Sequence, residues 1–258
     1  MKRFLHRILG SSSPAAPEAA AFVPSPLDPE RPLYVVGDVH GRADLLERII
    51  ARIAEHAADA PHDLVFVGDY IDRGEDSRAV LERLQALEAA AHVTCLSGNH
   101  EQMLLDFLDD PATNGRRWLR SGGLQTLASF GVGGVTETAS PAQLAAAGDE
   151  FLGALGPLAG WLRARPLMFE SGNILVVHAA ADPNTPASEQ VDKTLLWGHP
   201  KFAHVPRQDG LWVVHGHTIV EAAGAEDGRI SVDTGAYATG RLTAAVIAPG
   251  HLDFLATV

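Results

Sequence analysis

From Leu33 onward the chain alternates short, unbroken apolar runs with stretches whose apolar residues recur every three or four positions. LYVV (33–36), LVFV (64–67), HVTCLS (92–97), ILVV (174–177), LWVV (211–214), RISV (229–232) and TAAVIA (243–248) read as buried strands. Leu45, Leu46, Ile49, Ile50 and Ile53 predict an amphipathic helix over 42–57, and Val80, Leu81, Leu84 and Leu87 predict another over 77–90. Strands alternating with helices predict an α/β core. Residues 101–163 carry no strand pattern. Their helical pieces are broken by Pro111, Gly115, Gly122–Gly123, Gly131, Gly133–Gly134 and Pro141. This stretch reads as a helical insertion on the α/β core and not as a separate domain.

The first thirty residues differ. MKRFLHRIL mixes Lys2, Arg3 and Arg7 with apolar side chains, and residues 10–30 are rich in Ser, Pro and Ala. The pattern predicts a flexible tail over 1–30, dispensable for chemistry, followed by one domain over 31–258. The basic-apolar start at residues 1–9 is suited to weak contact with an anionic membrane surface. It is too short for a secretory signal, and no run approaches the roughly 20 apolar residues of a membrane span.

Composition narrows the partners. A net charge of −12 argues against nucleic acid, whose backbone is held by clustered Lys and Arg. A single cysteine, Cys95, excludes an intrachain disulfide and a thiolate metal cage, and points to the reducing cytoplasm. An acidic protein that handles phosphate needs local positive charge, which bound metal ions supply.

The residues just after each strand are the main clue. Gly37-Asp38-Val39-His40-Gly41 comes after the first, Gly68-Asp69-Tyr70-Ile71-Asp72-Arg73-Gly74 after the second, and Gly98-Asn99-His100-Glu101 after the third. His178, His215-Gly216-His217-Thr218 and Asp233-Thr234-Gly235 come after later ones. In an open α/β sheet the carboxyl ends of the strands line the ligand crevice, so distant segments converge there. A two-metal hydrolase needs a shared ligand, and a carboxylate such as Asp69 can bridge. Imidazole with Asp or Asn oxygen donors suits Mn, Fe, Zn, Co or Ni better than a thiolate-loving metal. Two divalent ions are expected, manganese foremost, with iron or zinc as alternatives. A water between two such ions becomes hydroxide near neutral pH and attacks phosphorus in line. A histidine can protonate the leaving alkoxide, and a guanidinium can grip phosphate oxygens. His215 and Asp233 read as packing or turn residues beside the ligands.

Asp38–His40, GDYIDRG (68–74), GNHE (98–101), His178 and Gly-His-Thr (216–218) resemble the phosphoprotein phosphatase family of metallophosphoesterases, most closely the bacteriophage lambda protein phosphatase and its bacterial relatives. GNHEQM (98–103), Trp-Leu-x-x-Gly-Gly (118–123), Leu196-Trp197 and DTGA (233–236) belong to the same likeness. The resemblance implies a β-sandwich of two mixed sheets flanked by helices. It implies that Asp38 and His40 bind one metal, that Asn99, His178 and His217 bind a second, and that Asp69 bridges them. His100 would be the general acid, oriented by Asp72, and Arg73 would clamp the phosphate with Asn99 beside it. One position departs. The lambda-type family carries a phosphate-binding Arg two residues after a Trp, whereas Trp197 is followed here by Gly198 and His199. His199 is the expected weaker substitute, with Lys201 and Arg207 as further candidates in the same loop.

The activity expected is that of a metal-dependent serine/threonine-type phosphatase on phosphoproteins or small phosphomonoesters. A symmetrical dinucleoside polyphosphate hydrolase is the alternative, and Glu101, where such enzymes have Asp, favours the phosphatase. The complete ligand set argues against an inactive phosphate-binding protein.

Overall fold

A computed structural model describes Phe22, residues 25–89 and residues 92–258. The basic start at residues 1–9, with its expected membrane contact, lies outside the described residues. In chain order the first half runs β1 (Leu33–Val36), α1 (Ala43–Ala57), β2 (Asp63–Phe66), α2 (Ser77–Glu88) and β3 (Val93–Cys95). Helices come next: α3 (Asn99–Asp109), α4 (Pro111–Trp118), a π turn (Leu119–Gly123), α5 (Leu124–Ser129), α6 (Pro141–Leu155) and α7 (Pro157–Arg163). The second half contains β4 (Met168–Ser171), β5 (Ile174–Val177), α8 (Asp192–Trp197), β6 (Trp212–His215), β7 (Gly224–Glu226), β8 (Arg229–Ser231), α9 (Ala236–Thr239), β9 (Thr243–Ala248) and β10 (His251–Ala256).

The strands make two five-stranded sheets, ordered β10-β9-β1-β2-β3 and β4-β5-β6-β8-β7. Both are mixed. β1, β2 and β3 run parallel with β9 antiparallel to β1, and β5, β6 and β8 run parallel with β4 and β7 antiparallel at the edges. The two-residue period of a strand sorts the side chains. Leu33, Val35, Val65 and Val67 meet Ile174, Val176, Val214 and Ile230 between the sheets. Tyr34, Val36, Leu64 and Phe66 face outward onto α1 and α2. Phe107, Trp118, Leu144 and Phe151 join that outer cluster, so the helices after β3 share its core. Among the described residues, no helix is long and apolar enough to cross a membrane.

β4, β7 and β10 were not expected from the sequence. All three are edge strands, half exposed, and carry polar residues such as Glu170, Glu226 and Asp253 among their apolar ones. Their pattern therefore lacks the continuous apolar run that marks a strand covered on both faces.

Residues 25–30, which the sequence groups with the tail, form a strap across the end of the sandwich where β1 and β6 begin. The Leu27 carbonyl accepts from Gly250 N (2.7 Å) in the β9–β10 turn. Asp28 N donates to Asn173 Oδ1 (2.8 Å) and Glu30 N to Ser171 Oγ (2.9 Å) in the β4–β5 turn. Trp212 Nε1 donates to the Ser25 carbonyl (2.9 Å), and the Leu27 side chain is buried between the sheets. The strap thus fastens both sheets together. A chain beginning at Arg31 is expected to lose about 2–4 kcal/mol, from several severed hydrogen bonds and the exposure of Leu27. A urea unfolding midpoint equal to that of a chain beginning at Phe22 would contradict this.

Candidate active site

The carboxyl ends of β1, β2, β3, β5 and β6 meet at one edge of the sandwich, and the loops there are knitted by backbone. Val39 N and His40 N both donate to the Asp69 carbonyl (3.1 and 2.8 Å), and Gly41 N to that of Tyr70 (2.8 Å). Glu101, fully buried in the first turn of α3, accepts from Asp69 N, Tyr70 N and Gly98 N, each at 2.8 Å. One carboxylate thereby fixes the β2 and β3 loops in register.

Asp69 lies at the middle. Its carboxylate belongs to two groups of donors, His40–Asp69–His100 and Asp69–His178–His217, and within each group the ligand atoms lie within 4.8 Å of one another. His40 Nε2 is 3.5 Å from Asp69 Oδ2, and His178 Nε2 is 3.4 Å from Oδ1. Asn99 Oδ1 stands 2.9 Å from His178 Nε2 and 2.8 Å from His217 Nδ1. Asp38, also buried, accepts from His217 N with both oxygens (3.2 and 3.1 Å). Gly216 permits that approach, since a Cβ there would lie 2.0 Å from Asp38 Oδ1.

The protonation states suit cation binding. Burial, outweighing the nearby Asp69, lowers His40 to about 3 and His178 to about 4. His40 Nδ1–H donates to the Ile71 carbonyl (2.8 Å) and His178 Nδ1–H to that of Val67 (3.1 Å), so each Nε2 offers a lone pair inward. The carboxylates are crowded. Burial, then Asp233 and Asp69, raises Asp38 well above the usual carboxylate range. Burial and Asp69 likewise raise Glu101 to about 7, and burial raises Asp233 to about 6. Asp69 is held below its ordinary value despite its burial, by His178, His100 and His40. Converging oxygen and neutral nitrogen donors with uncompensated acidic charge fit divalent cations of the borderline class.

His100 sits apart in character. Its Nδ1 is 2.6 Å from Asp72 Oδ2, and its Nε2 is 3.2 Å from Arg73 Nη2. Burial opposes its charge, but Asp69 and Asp72 outweigh burial and raise its pKa. Asp72 is gripped from the helical insertion, which sequence reading missed. Thr126 Oγ1 donates to Oδ1 (2.6 Å) and Trp118 Nε1 to Oδ2 (3.0 Å). The π turn between them packs its Gly122 on the β2 loop, where a Cβ would lie 2.6 Å from Arg73 N. The signal available was the Trp-Leu-x-x-Gly-Gly segment (118–123), which belonged to the family likeness but carried no role.

A cavity of about 570 Å³ opens beside His100, lined by Arg73, Arg117, Arg120, Trp197 and Tyr237 among others. The Arg73 guanidinium lies 4.6 Å from the Tyr237 ring, and that of Arg117 4.6 Å from the Trp197 ring. His199 is not among the lining residues. Its Nε2 lies 3.7 Å from Asp182 Oδ2. Arg207 is buried, donating to the carbonyls of Asp182 (2.8 Å) and Thr185 (2.9 Å) and pairing with Asp209. His215 bonds Ser231 and the Gly216 carbonyl, and Asp233 accepts from Gly235 N (2.8 Å) in a turn.

The family model for calcineurin-like phosphoesterases matches residues 31–221. The chain is 42% identical over 94 residues to serine/threonine-protein phosphatase 1 of Salmonella typhimurium, covering 36% of this chain and 39% of that protein. It is 32% identical over 154 residues to the symmetrical bis(5'-nucleosyl)-tetraphosphatase of Legionella pneumophila, covering 59% of this chain and 45% of that protein. The matched stretches thus span less than half the length of either relative. A protein serine/threonine phosphatase from Saccharomyces cerevisiae shares the fold, with a TM-score of 0.58 at 17% identity over 88% of this chain and 80% of that one.

The grip on Asp72 gives a stability test. Thr126→Val removes both a donor to the buried carboxylate and the acceptor of Asp72 N (2.9 Å). It is expected to destabilise the protein by about 1–3 kcal/mol, the range for stranding buried polar groups. Combined with Trp118→Phe, the losses should be non-additive, because both act on one carboxylate. Simple additivity in chemical denaturation would argue against a shared network.

Proposed function

This chain belongs to the calcineurin-like phosphoesterase family, and from that premise we propose that it is a cytoplasmic, metal-dependent phosphatase acting on phosphoserine and phosphothreonine monoesters. Asp38 and His40 would hold one divalent cation, Asn99, His178 and His217 another, and Asp69 both. Bound cations, manganese by this reading, would supply Lewis-acid charge to the phosphoryl oxygens and activate a water for in-line attack. The remaining work falls to side chains. Arg73 receives the phosphate oxygens, its guanidinium steadied by the Tyr237 ring. His100 carries a proton on Nε2 toward the leaving oxygen, while Asp72 holds Nδ1 and keeps the ring aimed.

The observation that carries this reading is the His100–Asp72 pair, buried and braced by Trp118 and Thr126 beside the arginine-lined cavity. A serine alkoxide is a poor leaving group unless protonated, so a positioned acid matters most for alkyl monoesters. A nucleotide phosphate departs without such help. The second reading, symmetrical dinucleoside tetraphosphate hydrolysis, draws on the Legionella pneumophila relative and on a cavity with several arginines. Assays with Mn²⁺ on p-nitrophenyl phosphate, phosphopeptides, a bis-p-nitrophenyl diester and diadenosine tetraphosphate separate the two. Turnover of the tetraphosphate but of no phosphopeptide would overturn the proposal.

His100→Asn is expected to lose about 10²–10⁴ in kcat on phosphoserine peptides, the usual worth of a general acid, and less on p-nitrophenyl phosphate. Equal losses on both substrates would remove His100 from that role. Asp69→Asn should weaken Mn²⁺ binding at both positions in calorimetric titration, because one carboxylate serves both donor groups. Loss of a single binding event would limit Asp69 to one cation.

A further inference from the structure

The positive charge at the mouth of the site exceeds what one phosphate requires. Arg73 stands next to His100, and Arg117 and Arg120 line the same cavity from the end of α4 and the π turn. Being three apart on helical backbone, Arg117 and Arg120 share a face. Among the described residues, no carboxylate lines this cavity, and none of the three guanidinium groups makes an ion pair within 4.0 Å. The contrast with the rest of the chain is sharp, since its net charge is −12 and seven other arginines are paired. A neighbouring cleft that shares Arg117 and Trp197 does carry Asp106 and Asp192, yet neither makes an ion pair with Arg117.

The Arg117 side chain and the backbone that carries Arg120 are also held in place. Stacking on Trp197 orients the Arg117 guanidinium. The backbone that carries Arg120 is tied to the site by Arg73 N, which donates to the Gly122 carbonyl (3.4 Å), and by Trp118, anchored on Asp72. The bend that buries Trp118 therefore leaves Arg117 and Arg120 facing the cavity. The other cationic candidates, His199, Lys201 and Arg207, do not line this cavity, and His199 and Arg207 face the Asp182 segment.

We infer that Arg117 and Arg120 form a second anion subsite beside the scissile phosphate, so that the enzyme prefers substrates bearing a further phosphate or carboxylate on the same molecule. This rests on the phosphatase reading above and adds the substrate class. The chemistry is shared by two sources, an acidic residue or second phosphoserine flanking a phosphoserine, and the additional phosphates of a dinucleoside polyphosphate.

The test compares kcat/KM, in Mn²⁺, for phosphoserine peptides with Asp or Ala at the two flanking positions. The Asp peptide should be preferred by about tenfold at low ionic strength, the scale of two exposed charge pairs, and less at high salt. In the Arg117→Ala, Arg120→Ala double variant the ratio should fall to about one. In Arg120→Glu alone it should reverse toward a Lys-flanked peptide. A wild-type ratio of one, or a ratio that survives both substitutions, overturns the subsite. The wild-type salt dependence gives an answer even if a variant fails to fold, since a preference insensitive to salt is not electrostatic and also overturns it. If diadenosine tetraphosphate turns over and neither peptide does, the phosphatase reading falls. The subsite then stands only if the double variant raises KM for that substrate more than for p-nitrophenyl phosphate. No turnover of any of these substrates overturns both.

Discussion

Aiming so many polar side chains at one point requires backbone that most residues avoid, and the rest of the structure is arranged around holding it. His40, Asp69, Asp72, Arg73 and His217 adopt left-handed φ values of 46°, 53°, 71°, 70° and 62°. None is glycine, and such conformations cost about 1–3 kcal/mol each. They persist because their peptide groups are over-determined. Asp69 N and Tyr70 N end on Glu101, Asp72 N on Thr126, and His217 N on Asp38. Glu101 is the hub of this lattice. It touches no candidate ligand through its side chain except by fixing backbone, yet it sets where Asp69 points. The burial that raises its pKa is the corollary of placing a carboxylate where three amides converge.

The helical insertion is part of the same device. Trp118 and Thr126 reach from either side of the π turn to Asp72, which holds His100. Between the two anchors the chain must pass within van der Waals range of the β2 loop, and Gly122 at φ 114° allows it. The insertion thus connects core packing to the site directly. Trp118 stacks on Phe151 and lies at a tilt against Phe107, and the indole N–H at the edge of this aromatic set grips Asp72, the partner of His100. A change in that aromatic packing would be felt at His100 Nε2 without any contact to substrate.

Much of this was legible before any coordinates. Seven apolar runs gave the six central strands and the edge strand β3, and the Gly-Asp and Gly-Asn-His segments after them marked the ends that converge. The other three edge strands, β4, β7 and β10, were not legible, because a strand exposed on one face loses the continuous apolar run. The strap at residues 25–30 looked like linker because its attachment is made by backbone carbonyls and amides, which composition does not reveal. Thr126, Trp118, Arg117 and Arg120 were hidden for a different reason. Their roles depend on tertiary contacts between an insertion and a loop more than forty positions earlier. The loop after Trp197 shows the converse hazard. Register with a known family put His199 forward, but Asp182 lies within reach of its imidazole and it does not line the cavity.

The net charge and the site chemistry make one electrostatic arrangement. Asp38, Asp69, Asp72, Glu101 and Asp233 are all buried near one another, and three of them are raised by Asp69 as well as by burial. Such a cluster is unfavourable as it stands and favourable around divalent cations, so the protein's acidity is concentrated where metal charge would invert its effect. Outside that cluster, a negatively charged surface repels phosphate-bearing molecules. By the proposed subsite, the guanidinium groups at the mouth would act where that repulsion must be overcome, since a low-dielectric cavity focuses their field. On that proposal, specificity would come from placing a few positive groups against an acidic background, and a chain of net charge −12 could still receive anions.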